Sequence, residues 1–423
     1  MLLLEVLKSD PEAAKASLVK KHFPQPGLVD VVIAVDEKKK ALKSSIDNLL
    51  SDRNKFSKEV GVLMKQGDVS GAETIKAKVA EIKSTVEKLE VDFQALEKEL
   101  FDTLVQLPNL PAQVVPQGKT PEDNEVVFCV DTLPVLVEGA VPHWELARKY
   151  QIIDFELGTK ITGPGFPVYK GKGAVLQRAL INFFLDNAAA AGYFEMMVPH
   201  MVNEDSAFAT GQLPDKEGQM YHATADDFYL IPTAEVPLTN VYRDVILEEK
   251  ELPVKVTGYT PCFRREAGSY GKDVRGLNRL HQFDKVEIVQ ITHPDKSYEV
   301  LEEMARHVEG LLKQLELPYR ILRLCGGDMS FASALTYDFE VYSAAQERWL
   351  EVSSVSNFET YQSNRLKLRF RDADNKKILA HTLNGSAMAL PRVLAALLEI
   401  NQTPEGIKIP KVLHRYTGFE IIQ

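Results

Sequence analysis

The sequence predicts an α+β fold in two parts: an N-terminal antiparallel two-helix coiled-coil arm, and a C-terminal domain around a mostly antiparallel sheet flanked by helices. Three observations carry this. Residues 32–100 hold two heptad seams either side of a Gly-containing turn. Prolines then crowd into LPNLPAQVVP at 107–116. From about residue 126, β-rich runs alternate with amphipathic helical ones. At 423 residues the chain is long enough for two or three domains and a large core without cross-links.

The start, MLLLEVLKSDPEAAK, has no basic residues ahead of its short apolar run, so no secretory leader is expected. No run of 18 apolar residues occurs to span a membrane. Cys129, Cys262 and Cys325 are far apart and odd in number. That argues against a disulfide framework or a Cys-rich zinc site and fits a reducing, cytoplasmic setting. A net charge of -10 excludes a protein that coats nucleic acid over its whole surface, but leaves room for a local basic patch.

In the arm, Val32, Val35, Leu42, Ile46, Leu49, Phe56, Val60 and Leu63 recur at steps of three and four, with Lys39 and Arg53 in two seam positions. Ile75, Val79, Ile82, Val86, Leu89, Phe93, Leu96 and Leu100 repeat the pattern. KQGDVSGAE at 65–73 reads as the turn, and a short connection makes the helices antiparallel. Each helix should be roughly 45–60 Å long. Lys38, Lys40, Lys43, Lys55, Lys58 and Lys65 lie off the seam, interspersed with Asp47, Asp52 and Glu59. The pattern alone suits a solvated spacer or zipper as well as a grip on an extended anionic partner. The domains are expected at 1–108, with the arm over about 30–105, and at 109–423.

In the second part, VVFCVDTLPVLV, VKVTGYTPCF, KVEIVQIT, FEVYSA and WLEVSSVS read as strands. VLQRALINFFLDNAAAAGY and SYEVLEEMARHVEGLLKQLEL read as helices, and FEMMVPHMV as a strand broken at Pro199. Four segments carry candidate chemistry. TPCFRREAGSYGKDVRGLNRLHQFDKVEIVQ, 260–290, reads as strand, polar loop, strand. Arg264, Arg265 and Glu266 sit on the incoming side, Gly268, Gly271, Lys272, Arg275 and Gly276 in the loop, and Phe283, Asp284 and Glu287 on the outgoing strand. Arginines beside a flat aromatic suit a triphosphate and a purine, although a charged surface hairpin reads the same way. In WLEVSSVSNF, Glu351 and the following hydroxyls suit Mg²⁺, or else belong to an edge strand. In HTLNGSAMALPRVLAALLEINQ a helix is expected from Ser386 or a nearby residue, regular from about Ala389, with Arg392 in its first turns. In IPTAEVPLTN, Glu235 is out of pattern for a core strand. It is either a buried acid, for which a primary ammonium would be a partner, or a surface residue. There is no GxxxxGK[ST] loop, GxGxxG turn, G-x-S-x-G elbow or HExxH, so any nucleotide is held without a P-loop or Rossmann crevice.

Taken in order, these segments resemble the three signature motifs of class II aminoacyl-tRNA synthetases. Together with the arm, LPNLP, PHWELARKYQIIDFE, ATGQLP, TAEVPLTN, FRREAGSYG, HQFDKVE, EVSSVSNF and HTLNGS, nearly the whole chain is similar to the bacterial-type seryl-tRNA synthetase family. The resemblance implies a class II catalytic domain. It also implies a serine–tRNA ligase that forms seryl-adenylate from ATP and L-serine and charges serine tRNA, and selenocysteine tRNA as well. By the same resemblance Thr233, Ala234, Glu235, Arg264, Glu287 and Ser386 bind serine, with Thr382 a lesser candidate. Arg264, Arg265, Glu266, Leu280, Phe283, Glu351, Val352, Ser353, Ser354 and Arg392 bind ATP, and Glu351 and Ser354 hold Mg²⁺. Arg264, Arg392 and Glu351 act in catalysis. The resemblance further implies a homodimer whose arm holds the long variable arm of the tRNA, with no zinc, DNA or membrane involved.

Overall fold

The computed structural model describes residues 1–215, 218–266 and 275–423. Gly268, Gly271 and Lys272 of the hairpin loop lie outside the described residues. The chain forms two compact units, one of Met1–Val19 and Phe23–Pro108, the other of Lys20–His22 and Asn109–Gln423.

In the first unit two short helices precede α1 (Leu28–Lys65) and α2 (Val69–Gln106), which pack along their length as an antiparallel pair. The turn is shorter than the sequence suggests. Asp68 caps α2 by accepting the Gly71 N–H at 2.9 Å, so the helix starts at Val69 and takes in Ser70 and Gly71. Val32, Val35, Ile46, Val86 and Leu100 are buried, whereas the other seam residues stay half-buried because two helices cannot enclose a seam. Lys39 is accommodated there by its stem. Its ammonium lies 5.9 Å from the Phe93 ring centroid and 3.8 Å from a Glu97 oxygen across the pair.

The second unit is built on an eight-stranded sheet. Its strands are β1 (Glu125–Cys129), β2 (Phe194–Glu195), β3 (Val254–Phe263), β4 (Gln282–Thr292), β5 (Tyr319–Arg323), β6 (Leu335–Ser343), β7 (Arg348–Asn357) and β8 (His381–Ala389). The spatial order is β1-β5-β6-β7-β8-β4-β3-β2. Every pairing is antiparallel except β2 with β3. The helices that concern the sheet and site are α3 (His143–Lys149), α4 (Lys172–Ala190), α5 (Glu235–Asn240), α6 (Ser297–Gln314), α7 (Thr360–Leu366) and α8 (Leu390–Ile400). Leu176, Leu180, Phe183 and Phe184 of α4 enter the main core together with Val286 and Ile288 of β4 and Leu398 of α8. By the pleat, Lys285 and Glu287, which alternate with those β4 residues, project from the other face.

The regular helix expected from about Ala389 is α8, which begins at Leu390 with Pro391 tolerated in the first turn, while Ser386 itself lies in β8, of which LNGSAMA is part. Glu235, out of pattern for a core strand, is a buried acid that opens the short helix α5. Arg264, Arg265 and Glu266 lie just beyond the end of β3, which stops at Phe263. The break at Pro199 is real: residues before it join the large sheet as β2, and Met201–Val202 pairs in a separate three-stranded sheet.

Candidate active site

A cavity of about 660 Å³ opens on the second unit, lined from β4, β6, β7, β8, the hairpin base and residues 210–215, 219–220 and 330–332. Two strand irregularities shape it. Opposite Val286 and Glu287 the register passes from Met388 to Ser386, leaving Ala387 as the extra residue of a bulge. Opposite Phe339 and Glu340 it passes from Ser353 to Glu351, leaving Val352. In an unbroken strand residues 351 and 354 would face opposite sides. The extra residue resets that parity, and both line the cavity.

One end is cationic. The Arg264 N–H donates to the His281 carbonyl at 2.9 Å, extending the hairpin pairing past β3. Its guanidinium lies 5.3 Å from the Phe283 ring centroid, and its Nε donates to the Pro232 carbonyl at 3.4 Å. A flat group on Phe283 would therefore have a guanidinium beside it. Arg279 donates to a Glu266 carboxylate oxygen at 2.9 Å. Arg392, in the first turn of α8, donates from Nε to the Asn278 carbonyl at 3.0 Å and from Nη1 to the Glu351 carbonyl at 2.7 Å. It is thus held between the outgoing hairpin limb and β7, where the helix dipole also favours an anion. Its Nη1 is also 3.8 Å from a Glu351 carboxylate oxygen.

Next to Arg392 lies a group of oxygen ligands. Ser354 donates to Asp338, its partner across β6 and β7. Asp338 is buried, and burial first, then the charge of Glu351, pushes its carboxyl well above the usual carboxylate range. All-oxygen donors with two acids that repel each other are the chemistry a hard divalent cation such as Mg²⁺ relieves, so Glu351, Ser354 and Asp338 fit one. Among the described residues no group of three or more His, Cys, Asp or Glu side chains is placed to hold a metal ion by itself.

The other end is acidic. Thr233 donates its hydroxyl to Glu287 Oε2 at 3.0 Å, and Lys285 Nζ reaches the same oxygen at 2.7 Å. Asn384 Nδ2 donates to Glu287 Oε1 at 3.4 Å. Glu235 is buried and accepts from Gln362 of α7 at 2.6 Å. Burial first, and the Glu287 charge second, push its carboxyl up to about 7. Thr382 donates to the other end of the Gln362 amide at 2.8 Å. Ser386 is the β8 partner of Glu287, and its carbonyl accepts from the Ser353 hydroxyl at 2.5 Å.

Of the residues singled out from the sequence, Thr233, Glu235, Arg264, Glu266, Leu280, Phe283, Glu351, Val352, Ser353, Ser354, Ser386 and Arg392 line this one cavity. Ala234 is fully buried behind the wall, and Glu287 lies just beneath it, linked to the lining residues Thr233 and Lys285. Arg265 is not among the lining residues: it is exposed, and its backbone N–H donates to the carbonyl of the lining residue Gln219 at 3.0 Å. Sequence reasoning missed Lys285, Asp338, Asn278 and Asn384, all lining residues. Alternation along HQFDKVE would have shown Lys285 on the Glu287 face. Asp338 needed the β6–β7 register.

The family model described as "tRNA synthetase class II core domain (G, H, P, S and T)" matches residues 220–401, and that for "Seryl-tRNA synthetase N-terminal domain" matches residues 1–111. A serine–tRNA ligase of Salinibacter ruber is 49% identical over 99% of this chain and 98% of its own length. One from Chlorobaculum parvum is 43% identical over 100% of both. Among solved structures, the seryl-tRNA synthetase of Pyrococcus horikoshii complexed with ATP superposes with a TM-score of 0.94 at 34% identity, covering 100% of this chain and 99% of that one. The cytoplasmic serine–tRNA ligase of Naegleria fowleri in complex with AMP gives 0.90 at 28% identity, with 100% and 99% covered.

Proposed function

The chain belongs to the seryl-tRNA synthetase family and is an ATP-dependent serine–tRNA ligase, and from that premise we propose how its residues divide the work. Phe283 stacks the adenine of ATP between itself and neighbouring apolar groups such as Leu280. Arg264 bridges the serine carboxylate and the α-phosphate, and Arg392 takes the β- and γ-phosphates. Glu235, Thr233 and Glu287 receive the serine ammonium and hydroxyl, with Ser386 closing the niche. The observation that carries this reading is one cavity that brings Arg264 and Arg392 together with the buried Glu235 and, through Thr233 and Lys285, with Glu287 just beneath its wall. That is the pattern an amino acid laid against a triphosphate requires.

The serine carboxylate oxygen attacks the α-phosphorus in line, a P–O bond to serine forms, and the bond to the β-phosphate oxygen breaks to release pyrophosphate. No protein nucleophile or general base is needed, because the attacking oxygen is already anionic. The protein contributes positioning and charge stabilisation. Glu351 and Ser354 would hold Mg²⁺, with Asp338 orienting the Ser354 hydroxyl, and the ion would supply neutralisation of phosphate charge. In the second step the ribose hydroxyl at the tRNA 3′ end attacks the seryl carbonyl and AMP leaves. A niche that bonds the hydroxyl disfavours glycine and alanine, since they leave buried polar groups unpaired.

The substrate tRNA is serine tRNA, and selenocysteine tRNA by the same shape. The arm grips its long variable arm through backbone and 2′-OH contacts. Supporting this, Lys38, Lys40, Lys43, Lys55, Lys58 and Lys65 are all exposed on α1. The working form is a homodimer joined through α4 and β2. The support is an edge strand flanked by exposed apolar side chains, Phe194 at 67% and Met197 at 97%. The site of action is the cytoplasm, a reading supported by three free cysteines. No helix among the described residues is long and apolar enough to cross a membrane. Serine-dependent exchange of pyrophosphate into ATP tests the site reading: exchange with serine no greater than with alanine would overturn it.

A further inference from the structure

Away from the cavity, α3 begins with a fully buried histidine that the mechanism does not use. His143 Nδ1 is 2.7 Å from a Glu399 oxygen of α8, and both side chains are shut off from solvent. Its other nitrogen, Nε2, accepts the backbone N–H of Leu277 at 2.9 Å. An N–H can donate only to a bare nitrogen, so Nε2 carries no proton and His143 is the neutral Nδ1–H tautomer.

Glu399 is well suited to hold that proton in place. It also accepts from the His143 backbone N–H at 3.0 Å, from Ser343, and from Gln346 at 3.2 Å. The Leu277 end faces the cavity. Leu277 and Asn278 both line it, and the Asn278 carbonyl is what the Arg392 Nε donates to. The Asn278 side chain donates to Gln346 at 2.9 Å, which closes the network back onto Glu399. The approach is tight: at Gly276, where φ is +66°, an added Cβ would collide with His143 Nε2.

We propose that His143, held in one tautomer by Glu399, is a positioning residue for the nucleotide site: it fixes the outgoing hairpin limb at Leu277, and through Asn278 sets where Arg392 stands. This rests on the reading that Arg392 takes the phosphate end of ATP. The neutral ring accepts from the limb at Nε2 and donates its Nδ1–H to Glu399, so the two functions can be separated by substitution. Glutamine can place an oxygen where Nε2 was, which keeps an acceptor for Leu277. Asparagine can place a donor where Nδ1 was, which keeps Glu399 satisfied but leaves the buried Leu277 N–H without a partner.

The test is steady-state ATP–pyrophosphate exchange on the full-length enzyme, with thermal unfolding as the fold control. H143N should raise the KM for ATP about tenfold, the scale set by one buried unpaired N–H, with the KM for serine unchanged. H143Q should stay within about threefold of the parent. G276A, which leaves the His143–Glu399 pair in place but displaces the limb, should reproduce the H143N effect and carries the test should H143N not fold. The proposal is overturned by a folded H143N with parental KM for ATP, by H143Q as impaired as H143N, or by a parental G276A. R392A is run alongside. If it too leaves ATP use unchanged, the assignment of the phosphate end is what fails. If R392A is impaired and H143N is not, only the positioning role falls.

Discussion

The arm and the sheet-based unit solve different problems with different parts of the sequence. The arm buries a narrow seam. Most of its residues stay exposed, and apart from Lys39–Glu97 across the pair its ion pairs include local ones four residues apart, such as Lys43–Asp47 at 3.1 Å and Lys98–Asp102 at 2.6 Å. The second unit buries charge. Glu235, Glu287, Lys285, Asp338, His143 and Glu399 are all buried; Lys285 pairs with Glu287 two residues along its own strand, and the others have partners distant in sequence or across a strand. A surface for gripping tolerates interchangeable parts spread over length. A site for aligning two small substrates needs each polar group fixed by neighbours, because an unpaired one is costly in a dry interior. Breaking each region should therefore give different kinds of failure.

The largest expected effect separates the two regions outright. Replacing residues 30–105 by a short linker should reduce tRNA charging to background while leaving serine-dependent pyrophosphate exchange near the parental rate. Measured on the same preparation, loss of both activities would mean the arm is needed for the second unit to fold or function. Next, Arg264→Ala should lower the exchange rate by on the order of 10²-fold or more, since it removes a cation placed where charge develops. A near-parental rate would show that the hairpin base does not face the reacting groups.

The same contrast explains what was legible. The arm follows a period that depends on neighbours three and four residues away, so its two helices could be read almost to their ends. The miss at the turn came from giving Ser70 and Gly71 to the loop when Asp68 caps a helix that includes them. Strands of the sheet were legible as β-rich runs, and twelve of the residues drawn from motif resemblance line the cavity. What was not legible depends on register. Ser386 was allowed as a helix start, with the regular helix from about Ala389, because nothing local says that LNGSAMA pairs with β4. Asp338 was passed over because its role depends on Ser354 lying opposite. The bulges at Val352 and Ala387, which bring residues onto the cavity side, exist only once β6 is aligned with β7 and β4 with β8. Nothing in the sequence singles out His143, because its partner Glu399 stands 256 positions later.

A matched pair of truncations sharpens the energetic side. Leu398→Ala, in the fully enclosed core, should cost about 3–5 kcal/mol of unfolding free energy. Leu89→Ala, on the half-buried arm seam, should cost only about 1 kcal/mol. Urea unfolding followed by circular dichroism reads both. Equal costs would mean the seam is enclosed in solution, by a second arm or another partner.

The smallest expected effect lies in the acidic niche. The Glu235 carboxyl stands at about 7, raised from 4.5 by burial and by the Glu287 charge. A raised pKa means that the folded state holds this proton more tightly than the unfolded chain. Its contribution to stability is full below pH 4.5 and is lost as the pH rises through 7. Serine reverses the balance, because its ammonium favours the ionised carboxylate. Binding should then release a proton near neutrality, and the KM for serine should fall a few-fold, roughly 3–10-fold, between pH 6 and pH 8. Calorimetry in two buffers of different ionisation enthalpy counts the proton directly. Glu235→Gln should flatten the pH dependence, raise the KM at pH 8, and stabilise the free protein more at pH 8 than at pH 5, because the amide has no proton to lose. A serine KM that stays level across this range in the parent enzyme would place the ammonium away from Glu235 and leave Glu287 as its partner.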